Sequence, residues 1–110
     1  NLPDAYLAAV SEYSRILKTG GTLFVSLPYG RYMNHGWFQV FDSLMVDRLI
    51  EVFSPSALHE CHFRYEPEGW KMSSREQSKD ATCFDASNRK SYDNDFAAFS
   101  RAIVCLEMVK

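Results

Sequence analysis

Glycine and proline are scarce in this sequence, at five and four residues of 110, and neither gathers into a linker or a phosphate-cradling loop. No G-x-G-x-x-G is present, and no G-x-S-x-G elbow that would present a serine nucleophile. A basic excess is also missing. Twelve Lys and Arg stand against fourteen Asp and Glu, for a net charge of -2, so the sequence has nothing with which to neutralise a nucleic-acid backbone. No apolar run approaches the roughly 20 residues of a membrane-spanning helix. Asn1, Pro3 and Asp4 stand where a signal peptide needs a basic and then an apolar stretch. Cysteine is sparse and odd-numbered, at Cys61, Cys83 and Cys105. A secreted disulfide scaffold is denser and even-numbered, which points to a cytoplasmic location. No internal repeat or low-complexity tract divides the chain.

What is present is ordinary globular composition, 46% hydrophobic, 15% aromatic and 24% charged, in a length that fits a single domain spanning 1–110. Tyr6, Ala9, Val10, Tyr13, Ile16 and Leu17 form one stripe of helical period. Pro3 and Asp4 suit the start of that helix, Lys18 its negative end, and Gly20-Gly21 its stop. The nearly unbroken apolar run 22–27 then reads as a strand covered on both faces. Asp42 or Ser43 caps a second helix reaching Phe53, with Leu44, Met45, Leu49, Ile50, Val52 and Phe53 at helical spacing, and Ser54-Pro55-Ser56 breaks it. Residues 58–65 alternate weakly as a second strand, and Ala102 to Val109 read as a closing strand. Between them, 67–94 is polar, with a short helix over 75–81 and a loop around 85–94.

The loop from Pro28 to Gln39 leaves the carboxyl end of the first strand, the side on which open α/β sheets bind ligands. Its His35 is the one loop group that titrates near neutrality and is the candidate base. Tyr29, Arg31, Tyr32 and Trp37 complete a candidate substrate pocket, Arg31 pairing an anion and the aromatics stacking a ring. The blander alternative has His35 satisfying backbone carbonyls and Trp37-Phe38 anchoring the loop. His59, Cys61, His62 and Cys83 offer metal-ligand types without metal-site spacing. Strand alternation sends Cys61 and His62 to opposite faces, and Cys83 has no close partner, so no metal is expected. Glu66 and Glu68 around Pro67, and Arg89-Lys90, read as solvated turns and loops, while Met45, Leu49, Phe53 and Cys105 read as core.

The segment from Ser14 to Gly30, with Leu17-Lys18-Thr19-Gly20-Gly21 feeding Thr22-Leu23-Phe24-Val25, resembles the helix-to-strand junction of class I S-adenosylmethionine-dependent methyltransferases. Thr19 stands where that family commonly has Pro. His35-Gly36-Trp37-Phe38-Gln39-Val40-Phe41-Asp42, Trp70 and the closing 102–110 resemble later segments of one bacterial subgroup, in the same order. The resemblance implies a partial Rossmann-like α/β fold. The strands at 22–27, 58–65 and 101–109 would be the fifth, sixth and seventh, the last inserted antiparallel between the other two. Helices 4–17 and 43–53 would share one face.

It also implies that this is the carboxyl-terminal half of a domain. Its cofactor half, with the glycine-rich loop that holds S-adenosylmethionine, would lie outside these residues. Position 1 is not Met, which fits that expectation. The parent would methylate a small-molecule or sugar-like acceptor, and this chain alone would be inactive and bind no cofactor. A bared sheet face and edge lead us to expect a homo-oligomer, or a third layer built from 66–95, with neither nucleic acid nor membrane as partner. The competing expectation is an α/β interaction or dimerisation module without catalysis.

Overall fold

The computed structural model describes residues 3–34, 39–82 and 100–110. Helix α1 spans Ala5–Ile16 and strand β1 Thr22–Pro28, followed by the two-residue strands β2, Met33–Asn34, and β3, Gln39–Val40. Helix α2 spans Ser43–Phe53, strand β4 Ala57–Glu66, strand β5 Gly69–Ser73, the one-turn helix α3 Arg75–Ser78 and strand β6 Ala102–Val109. The main sheet has the order β1-β6-β4-β5 with every neighbouring pair antiparallel, while β2 and β3 form a separate pair. The last strand in sequence therefore lies between β1 and β4, which run in the same direction.

Strict alternation in β6 sets the two faces. Ala102, Val104, Leu106 and Met108 are buried, and the last three join Val10, Tyr29, Phe41, Met45, Val46, Leu49 and Phe53 in the core. Leu23, Val25 and Leu27 of β1 pack against the same cluster. Burying each such side chain stabilises the fold by about 1.5–3 kcal/mol, so this face holds the structure together. Tyr6 links the two main helices: its ring meets Phe41 edge-on at 4.9 Å, and its hydroxyl donates to the Met45 carbonyl at 3.3 Å.

Local chemistry fixes the ends of the elements. Asp42, not Ser43, caps α2, its carboxylate accepting the Met45 N–H at 3.0 Å. Ser54 then ends the helix in the left-handed region at φ 54°. Asp4 makes no side-chain cap on α1 and pairs with Arg48 at 3.1 Å instead. At the other end of α1 the ammonium of Lys110, a residue remote in sequence, donates to the carbonyls of Ser14 and Leu17.

Three expectations need correction. The run 22–27 is covered on one face only: Phe24 is 72% exposed and Ser26 also faces outward. No second layer lies over its outer face among the described residues. Residues 69–73 do not begin a third layer. They pair with β4 and extend the sheet, and Tyr65 meets Trp70 edge-on at 5.3 Å across the hairpin. The helix expected over 75–81 closes after Ser78, with Ser74 accepting the Gln77 N–H at 3.1 Å as its cap. The loop expected at 85–94 lies outside the described residues.

Candidate functional site

β1 ends at Pro28, and the chain turns through Gly30, whose backbone φ is +151°. A Cβ on Gly30 would sit 2.2 Å from the Ala81 carbonyl oxygen, so only glycine allows this close passage. The turn is stitched by main-chain bonds: Gly30 N–H donates to Phe41 O at 2.9 Å, Phe41 N–H to Pro28 O at 2.9 Å, and Arg31 N–H to Ala81 O at 3.0 Å. These bonds bring the loop after β1, the start of α2 and the segment after α3 to one end of the sheet.

Three of the residues expected to form a substrate pocket are described, and these three do not share one environment. Tyr29 is 1% exposed and belongs to the core. Arg31 is exposed and faces Asp80 at 3.9 Å, and Tyr32 is 42% exposed. Arg31 and Tyr32 thus offer a cation and a ring at the surface, able to pair an anion and stack a planar or sugar ring. His35, the candidate base, and Trp37 lie outside the described residues.

Beneath Tyr29 lies a polar network on the helix-bearing face of the sheet. The Tyr29 ring meets the His62 ring edge-on at 4.7 Å. His62 is 5% exposed and donates from Nε2 to Glu60 Oε2 at 2.6 Å. Arg75 grips the same carboxylate with two bonds, Nε to Oε2 at 2.7 Å and Nη2 to Oε1 at 2.9 Å. Its third nitrogen reaches α2, at 2.7 Å from Ser43 Oγ and 2.6 Å from Asp47 Oδ1.

The electrostatics follow from these contacts. The Arg75 bonds hold the Glu60 carboxyl below its usual value; burial opposes them and the His62 bond assists. Glu60 and Asp47 in turn hold the Arg75 guanidinium charged. Burial pushes the Tyr29 hydroxyl up, with a hydrogen bond to Ser43 opposing. Because both oxygens of Glu60 are taken by Arg75, this carboxylate is no free base. The network fastens β4 to α2 and α3 under the loop. His62 Nδ1 is buried without a hydrogen-bond partner among the described residues.

Reasoning from sequence passes over Glu60 and Arg75. The i, i+2 spacing of Glu60 and His62 on one strand face is a readable signal. Arg75 carries none, because its role depends on β5 returning the chain beside α2. Among the described residues no three His, Cys, Asp or Glu side chains converge to hold a metal ion. His59 and Cys61 lie on the sheet face opposite His62. Among the described residues, no helix is long and apolar enough to cross a membrane. No family model, curated protein or solved structure matches this chain.

Proposed function

We propose that this chain is the carboxyl-terminal, acceptor-side half of a Rossmann-like S-adenosylmethionine-dependent methyltransferase domain whose complete form acts on a small-molecule or sugar-like acceptor. One observation carries the reading: β6 lies antiparallel between β1 and β4, two strands of common direction, with α1 and α2 on a single face. That order is the one the resemblance at 14–30 and 102–110 implies for the end of the methyltransferase sheet. An apolar groove beside β1 supports it, lined by Tyr6, Val10 and Tyr13 of α1 and Leu23, Val25 and Leu27 of β1. In the complete domain a neighbouring strand would fill it.

The residues described do not fit the cofactor. Neither hollow beside β1 combines an acidic side chain with the glycine-lined backbone that a nucleoside needs. The chain's own contribution is to the acceptor: Arg31 and Tyr32 stand exposed beyond the carboxyl end of β1, above the braced Tyr29. Calorimetry with S-adenosylmethionine tests the division. The 110-residue chain gives no heat of binding, and adding the polypeptide encoded directly upstream restores both binding and methyl transfer. Clear micromolar affinity of this chain alone, or an upstream sequence without a glycine-rich strand–loop–helix, overturns the reading.

A second reading, an interaction module that self-associates, is favoured by the sheet face that no helix covers among the described residues. Phe24 and Met72 stand there 72% and 79% exposed. A chain that is strictly monomeric by light scattering at every concentration removes this reading.

A further inference from the structure

On the sheet face opposite α1 and α2, two cysteines stand directly across from each other. Cys105 of β6, expected in the core, instead faces away from it, because the buried positions of β6 are the even-numbered ones; it is the register partner of Cys61 of β4 and, on its other side, of Ser26 of β1. Tyr65 N–H donates to Arg101 O at 2.8 Å, and counting in twos from that pair makes Cys61 and Cys105 a hydrogen-bonded pair as well. Such partners have Cα atoms about 5.5 Å apart. That lies inside the range of about 4.4–6.8 Å that a disulfide spans.

Cys61 Sγ is 3.0 Å from Nε2 of His59, two residues back on the same face. Cys105 Sγ is 4.0 Å from Ser26 Oγ. Both sulfurs are free thiols, half-buried, and line a hollow of about 340 Å³ walled by Phe24, Leu106 and Glu107. With no third metal ligand converging on them among the described residues, the chemistry left to this cluster is that of the thiols themselves.

We infer that Cys61 and Cys105 form a redox-active dithiol site that is oxidised by small organic disulfides, with His59 as the base. The His59 imidazole takes the Cys61 thiol proton as the sulfur attacks one sulfur of the incoming disulfide. The disulfide's S–S bond breaks, and one half leaves as a thiolate that takes the proton. Cys105 then attacks the Cys61 sulfur of the mixed disulfide, and the second half leaves as a thiol carrying the Cys105 proton. Two protein thiols are oxidised and one small disulfide is reduced to two thiols, so atoms and electrons balance. The product bridges β4 to β6 across the middle of the sheet. A partly exposed disulfide of this kind is readily reduced again, which makes the bridge reversible. The site is separate from the loop after β1 and does not depend on methyl transfer.

The test uses the full chain carrying Cys83→Ser, which removes the third thiol, treated with oxidised glutathione and mapped by non-reducing peptide mass spectrometry. The expected product is a Cys61–Cys105 crosslinked peptide with a net mass loss of about 2 Da. Adding Cys105→Ser should arrest the reaction at a glutathione adduct on Cys61. His59→Gln should slow formation of that adduct by about tenfold, with an unchanged circular-dichroism spectrum. Stable glutathione adducts on both cysteines without a crosslink would overturn the dithiol. An unchanged rate in His59→Gln would overturn the base. Because no methyl donor takes part, failure here leaves the methyltransferase reading untouched, and the reverse also holds.

Discussion

Gly30 and Glu60 show how two single residues hold one end of the molecule. The Ala81 carbonyl approaches Gly30 so closely that a methyl group cannot fit, and the opposing atom is backbone, which yields little. Gly30→Ala should therefore cost at least about 2 kcal/mol, read as a lower denaturant midpoint. Glu60 acts through charge. Arg75 holds its folded-state pKa below the unfolded value, against the pull of burial and with help from His62. A carboxyl shifted in that direction contributes stability that is complete above its unfolded pKa and is lost as pH falls through the folded one. Unfolding free energy should thus decline below about pH 4.3, the ordinary glutamate value. Glu60→Gln should flatten that decline and cost about 1–3 kcal/mol at neutral pH, where Arg75 loses its ionic partner. Denaturant titrations from about pH 3 to 7 on both proteins check the slope and the offset.

Elements were legible in the sequence wherever local chemistry decided them. The 3.6-residue stripe from Tyr6 to Leu17, the glycine pair at 20–21 and the break at Ser54-Pro55 each place a boundary close to the observed one. Asp42 is such a local signal too. Asp42→Ala should remove the bond to the Met45 N–H and lower stability by about 1 kcal/mol, measurable by thermal unfolding monitored by circular dichroism. Elements whose existence depends on a distant partner were not legible. The segment Gly69–Ser73 has polar residues and a glycine, and it becomes a strand only because β4 offers an edge. The end of α1 is closed by Lys110 rather than by nearby Lys18, a contact that exists only once β6 has inserted. The site divides in the same way: Arg31 and Tyr32 could be read as exposed loop residues, whereas the burial of Tyr29 depends on Phe41 bridging to it, the His62 ring and its place in the core cluster with α2.

For the molecule as a whole, the decisive fact is the asymmetry of the sheet. One face carries α1, α2 and the core, and the other presents Phe24, Met72, Trp70 and the Cys61–Cys105 pair. The outer edge of β1 adds to this, because Thr22 to Leu27 contain no charged residue to discourage another strand. Under either proposed reading this face and edge serve association, with a second copy in solution or with the rest of a larger domain. Both readings therefore predict the same response to a charge placed on the face. Phe24→Lys removes an exposed ring and leaves the core untouched, since Leu23, Val25 and Leu27 point the other way. Its unfolding free energy should stay within about 0.5 kcal/mol of the parent, as for other exposed positions. Its mass by light scattering should fall to that of one chain, 12.7 kDa. The upstream polypeptide then separates the two readings. If the face serves that segment, Phe24→Lys abolishes the complex with it; if the face serves a second copy, the complex with the upstream segment is unchanged while self-association is lost.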